Sequence, residues 1–68
     1  MKIVSVTSTH ATVTVPLREV EFLLSAIRET LEALKGSELH TRTGETRETA
    51  MAFRSEMKAL CDAMENQK

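Results

Sequence analysis

Two apolar series at helical spacing dominate this chain. Leu17, Val20, Leu24, Ile27, Leu31 and Leu34 recur every three then four residues, and Ala50, Phe53, Met57, Leu60 and Met64 repeat the pattern later. Each series falls on one face of an α-helix, so two antiparallel helices can pack along their length through these side chains. The spacing predicts helices over about 17–35 and 47–65. On a helical wheel the first helix is apolar over more than half its circumference. Leu23 flanks the main stripe, and Phe22, Ala26 and Ala33 form a weaker second one. A face that broad needs cover on two sides. The second helix supplies one, and a β-hairpin or a second subunit supplies the other.

Ahead of the helices the pattern changes period. Ile3, Val4 and Val6 form one β-prone run, and Thr12-Val13-Thr14-Val15 alternates strictly, which predicts strands over about 2–7 and 11–15. Alternation turns Val13 and Val15 towards a core and Thr12 and Thr14 outwards. It also puts Val4 and Val6 on one face, with Ile3 and Ser5 on the other. The intervening Thr7-Ser8-Thr9-His10 lacks an Asn-Gly signal, so the join is a looser antiparallel hairpin. Two strands are not stable alone and must lie on the helices. Pro16 ends the second strand and suits a helix start, where its missing N–H is not needed. Gly36 is placed to terminate the first helix at C′.

Residues 36–46 read as a loop, longer than the roughly two to eight residues usual between packed helices. Leu39 is its one large apolar residue and pins it to the core. Gly44 suits a left-handed backbone, and Thr46 suits the N-cap of the second helix. The fold class that follows is α+β: a single domain over 1–68, with an N-terminal antiparallel β-hairpin and then two long antiparallel α-helices (ββαα).

A chain of 68 residues buries only about 60% of the surface its unfolded form exposes. Such small domains lean on disulfides, metals or oligomerisation. Cys61 is the single cysteine, so no internal disulfide can form, and beside Met57, Leu60 and Met64 it reads as a small buried hydrophobe. No Cys/His spacing suggests zinc. Self-association as a homodimer is the remaining aid. The net charge of −1, with signs interspersed, gives no basic patch for nucleic acid. No apolar run reaches membrane-spanning length, and the first residues lack a signal-peptide core. A cytoplasmic protein is expected.

Motifs for catalysis are missing: there is no phosphate-cradling glycine loop, no nucleophile elbow, and no base near Cys61. A non-enzyme without cofactor or metal is expected. The strongest candidate for recognition is the cluster of His40, Thr41, Arg42, Thr43 and Arg47. Guanidinium groups and hydroxyls beside a helix start can receive an anion or an acidic partner. The competing reading has the threonines capping and turning, and Arg42 pairing with Glu38 or Glu45. Off-stripe apolar residues, namely Ile3, Phe22 and Met51, are candidates for an interface.

Thr12-Val13-Thr14-Val15-Pro16-Leu17 and Thr43-Gly44-Glu45-Thr46-Arg47 resemble the strand-to-helix junction and inter-helix turn of ribbon–helix–helix DNA-binding proteins. That resemblance covers about residues 11–65 and implies paired strands of two subunits entering the major groove. Here the ribbon face offers Thr12 and Thr14 rather than base-reading Lys, Arg, Asn or Gln. Lys2-Ile3-Val4-Ser5-Val6 and Thr41-Arg42-Thr43-Gly44-Glu45-Thr46-Arg47-Glu48 are similar to short, uncharacterised bacterial proteins with a β-hairpin followed by a helical hairpin. This second resemblance spans nearly the whole chain; it implies the fold and supplies no activity. The function expected is a small protein-interaction module of the inhibitor, immunity-type or adaptor kind, with an unknown protein partner. The alternative is a dimeric ribbon–helix–helix-like DNA-binding regulator.

Overall fold

Pro16 marks the change from strand to helix. It sits at the N-cap in extended conformation, and its carbonyl accepts the amides of Glu19 and Val20 at 3.0 and 3.2 Å. The computed structural model describes residues 1–67. Before Pro16 lie β1 (Lys2–Val6) and β2 (Ala11–Thr14); after it come α1 (Leu17–Ala33), α2 (Glu38–Thr43) and α3 (Arg47–Glu65). The protein is therefore α+β, with an antiparallel hairpin leading into helices, as the sequence implies. It has three helices among the described residues rather than two.

The third helix is α2, which occupies the segment expected to be loop. Ser37 lies at its N-cap, and Gly44 closes it in the left-handed region at φ 79°, with its amide on the His40 carbonyl at 2.8 Å. Leu39, 1% exposed, anchors this turn and a half. A segment so short carries no detectable periodicity, which is why composition reads it as loop. The first helix also ends two residues early. Leu34 turns extended at its C-cap, and Gly36 (φ 56°) serves the next turn, where Glu38 N–H meets the Lys35 carbonyl at 3.1 Å. The helix stops without a C′ glycine because Arg47 reaches across and donates to the carbonyls of Leu31 and Leu34. At the start of α3, Thr46 caps as expected, its hydroxyl accepting from Thr49 N–H at 3.2 Å.

The contact between Arg47 and the end of α1, together with the cluster of Val20, Leu24, Met57 and Cys61, shows that α1 and α3 run antiparallel. Ile27, Leu17, Leu23, Val15 and Met64 pack around that cluster, half buried. On α1 the predicted stripe is the buried one. On α3 it is not quite: Met57 and Cys61 are buried, whereas Phe53 and Leu60 are 48% and 45% exposed. Four residues before Met57 and three after it, they lie about 40° and 60° off the Met57 direction on the same side. The seam instead runs through Ala50, Met57, Cys61 and Met64, and Cys61 is buried as its position suggests.

The hairpin departs most from expectation. Its turn is closed by Thr7, whose hydroxyl accepts the amides of Thr9 and His10 at 3.2 and 2.9 Å while its own amide reaches the His10 carbonyl at 2.8 Å. This Thr-rich turn does the work of Asn-Gly. The strands do not cover the helices: every residue of β1 and β2 is exposed. The pairing is Lys2 with Thr14, Ile3 with Val13, Ser5 with Thr12 and Val6 with Ala11, with an irregularity that leaves Val4 as an extra residue in β1. Paired residues share a face, and alternate residues of one strand do as well. Ile3, Val6, Ala11 and Val13 therefore lie together, and Lys2, Ser5, Thr12 and Thr14 lie opposite. Simple alternation had separated Ile3 from Val6; the bulge reunites them.

Leu39 holds α2 against the helix pair, so Leu39→Ala is expected to lower stability by about 2–5 kcal/mol, as for other buried leucines. Thr46→Ala is expected to lower it by about 1 kcal/mol. Urea denaturation followed by circular dichroism measures both, and an unchanged midpoint for Leu39→Ala would show that α2 is not anchored through it.

Candidate interaction surface

The structure divides the predicted 40–47 cluster into two sets. Thr43 and Arg47 are tied to the backbone, Arg47 half buried and Thr43 exposed. The Thr43 hydroxyl donates to the Leu39 carbonyl at 2.6 Å and accepts from Glu45 N–H at 3.1 Å, tying both sides of the Gly44 turn. Arg47 is half buried and offers two guanidinium nitrogens to the α1 carbonyls. A helix C-terminus carries unpaired carbonyls and a partial negative charge, so a planar cation with two parallel donors fits it well. His40, Thr41 and Arg42 face outwards on α2. Among the described residues the ion pairs are Met1 with Glu19 and Lys58 with Asp62. Neither Glu38 nor Glu45 is within ion-pair distance of Arg42. The five residues thus do not converge on one ligand.

Ile3, Phe22 and Met51 are exposed, at 66%, 71% and 43%, but they lie in three places. Met51 borders a shallow depression among Arg28, Glu32, Lys35 and Arg54. Phe22, two residues from Val20 and about 200° round the helix, points away from α3. Ile3 belongs to the apolar face of the hairpin.

A more coherent surface emerges from the two sides of the helix pair. One side is charged and carries Arg28, Arg54, Lys58 and Asp62 around a polar hollow. The other holds an open cleft of about 500 Å³ where α1, α2 and α3 meet. Leu23, Ala26, Ile27, Leu31, Leu39, Ala50 and Phe53 line it, with Thr30, Thr43, Thr49 and Glu45 among them. Leu60 stands one heptad beyond Phe53 on the same side of α3. Periodicity assigns Phe53 and Leu60 to the inter-helix seam and so hides this apolar side. The signal that could have separated them is Cys61, an apolar residue on the other side of Met57 whose burial turns the seam away from Phe53 and Leu60.

Cys61 belongs to a further cluster that no local spacing reveals. Its thiol donates to Glu65 Oε1 at 3.6 Å, and ligand-type atoms of Glu21, Cys61 and Glu65 lie within 4.8 Å of one another. Glu21 comes from α1, forty residues away in the chain. Burial raises the Cys61 pKa above the ordinary thiol value, and the negative charge and hydrogen bond of Glu65 raise it further. A thiol held protonated is a weak nucleophile and a weak metal ligand.

Two expectations follow from these environments. Arg47→Ala is expected to destabilise the fold by about 1–3 kcal/mol, the scale of charged hydrogen bonds lost from partly buried carbonyls, while Arg42→Ala stays within about 0.5 kcal/mol; comparable urea midpoints for the two would remove the distinction drawn between them. Cys61 is expected to react with an aromatic disulfide reagent at least tenfold more slowly in the folded protein than in urea. Because the folded state favours the neutral thiol, that contribution is complete below the ordinary thiol pKa of about 8.5 and is lost as pH rises above it. Cys61→Ala is expected to abolish this alkaline slope in stability.

No protein-family model matches the chain, no curated protein matches its sequence, and no solved structure matches its fold.

Proposed function

We propose that this chain is a small non-enzymatic protein-interaction module, of the inhibitor, immunity-type or adaptor kind, acting in the cytoplasm. The observation that carries this reading is the apolar surface left uncovered. It comprises the face of the hairpin formed by Ile3, Val6 and Val13 and the side of the helix pair marked by Phe53 and Leu60. Apolar residues scattered singly over a surface need no explanation, but grouped apolar residues on both the hairpin and α3 do. A two-stranded sheet that buries neither face gains little from folding by itself. Its outer strand edges also offer backbone groups to a partner strand.

A DNA-binding role for the hairpin draws less support. The polar face carries Lys2, Ser5, Thr12 and Thr14, a single cation among four positions, on a chain of net charge −1. Phosphate binding is built on clustered Lys and Arg.

Chemical crosslinking inside the native cell tests the reading. The wild-type chain is expected to appear in a discrete crosslinked species larger than itself, and Val13→Lys is expected to reduce that species at least tenfold. Lys58→Glu, on the charged side, is expected to leave it intact. A chain that remains uncrosslinked in the cell, or variants that behave alike, would overturn the assignment.

A further inference from the structure

The described molecule is flat, measuring 39 × 31 × 15 Å. Stable domains bury their apolar faces between packed layers, and here every residue of the hairpin is exposed. The radius of gyration is 13.6 Å, against about 11 Å for a compact domain of this length. Surface area gives the same result: the chain exposes 5447 Å², where a folded monomer of 7.6 kDa exposes about 4,300 Å². The excess, about 1,100 Å², is more than the ~800 Å² that each partner contributes to a standard interface, and twice that excess lies in the homodimer range.

Two uncovered apolar surfaces contribute to this excess. One is a flat apolar face on a two-stranded sheet, carrying Ile3, Val6 and Val13. The other is the apolar side of a helix pair, with Phe53 and Leu60 standing proud beside an open cleft. Sheet face on helix pair is a common two-layer packing, yet in this chain the hairpin projects beyond its own helices.

We propose that a second copy of this chain closes the fold, the hairpin of each copy lying across the apolar side of the other's α1–α3 pair. The arrangement is two-fold symmetric and isologous, so a single contact made twice covers both surfaces. The charged side, with Arg28, Lys58 and Asp62, stays in water. This inference rests on the reading of the apolar surface as a recognition surface and names its occupant.

Sedimentation of the purified chain at tens of micromolar tests the proposal. The wild-type protein is expected to run at twice its monomer mass. Val13→Lys on the hairpin and Phe53→Glu on the helix side are each expected to weaken the dimer at least tenfold while keeping the helical circular dichroism, since both positions are exposed. Mixing the two variants in equal amounts is expected to restore dimers. A mixed pair keeps one wild-type hairpin on one wild-type helix side and sets the new Lys near the new Glu in the other contact. Should either variant lose its helical signal, Ile3→Lys and Leu60→Glu form the equivalent pair. A monomeric wild type overturns the proposal, as does a Val13→Lys protein that stays dimeric. A mixture that stays monomeric overturns the reciprocal arrangement. A chain that is monomeric when pure but crosslinked to another protein in the cell overturns the second copy as occupant and leaves the interaction module standing.

Discussion

The antiparallel seam between α1 and α3 is the interaction on which everything else in this protein hangs. It is closed at one end by apolar contact among Val20, Leu24, Met57 and Cys61, and at the other by a polar clasp, Arg47 on the last carbonyls of α1. The two ends do different work. Apolar burial is nondirectional and would tolerate sliding of one helix along the other. The guanidinium fork is directional and sets the register, because only one residue of α3 faces only one turn of α1. Once that register holds, α2 has a fixed place to fold against, with Leu39 inserted and Gly44 turning the chain into α3.

The parts legible in the sequence were those with a repeating signal or a strong local rule. The helix at 47–65, the strand-to-helix change at Pro16, the cap at Thr46 and the left-handed Gly44 all follow from patterns within a few residues. What escaped was set by tertiary geometry. A heptad pattern names the residues near a seam but not which of them sit at its margin, so Phe53 and Leu60 passed for core. Arg47 could not be told apart from Arg42 by residue type, since its role depends on carbonyls thirteen and sixteen positions away. The proximity of Glu21 to Cys61 and Glu65 likewise arises only when the helices pair. Even the shortness of α1 belongs here, because a side chain from another helix replaces the glycine that usually ends one.

The molecule also shows how little core a chain of this length can assemble. Val20, Leu24, Leu31, Leu39, Met57 and Cys61 are its buried apolar residues among those described, and none of them comes from the hairpin. The helices therefore account for the internal packing, and the hairpin contributes surface. Exposed apolar surface, in contrast, lies both on the hairpin and on α3 at Phe53 and Leu60.

Val4 makes the apolar face of the hairpin depend on an irregular pairing. As the extra residue of a bulge, it shifts the alternation of β1 so that Ile3 and Val6 arrive on one face. Removing that one residue would restore regular pairing and leave Ile3, Val6, Ala11 and Val13 together, whereas regular pairing with Val4 still in the strand would send Val6 to the polar face. The hairpin's surface character thus depends on where the ladder is irregular as well as on which residues it holds. A change that moves the bulge along β1 would therefore alter this face with no change in composition or charge.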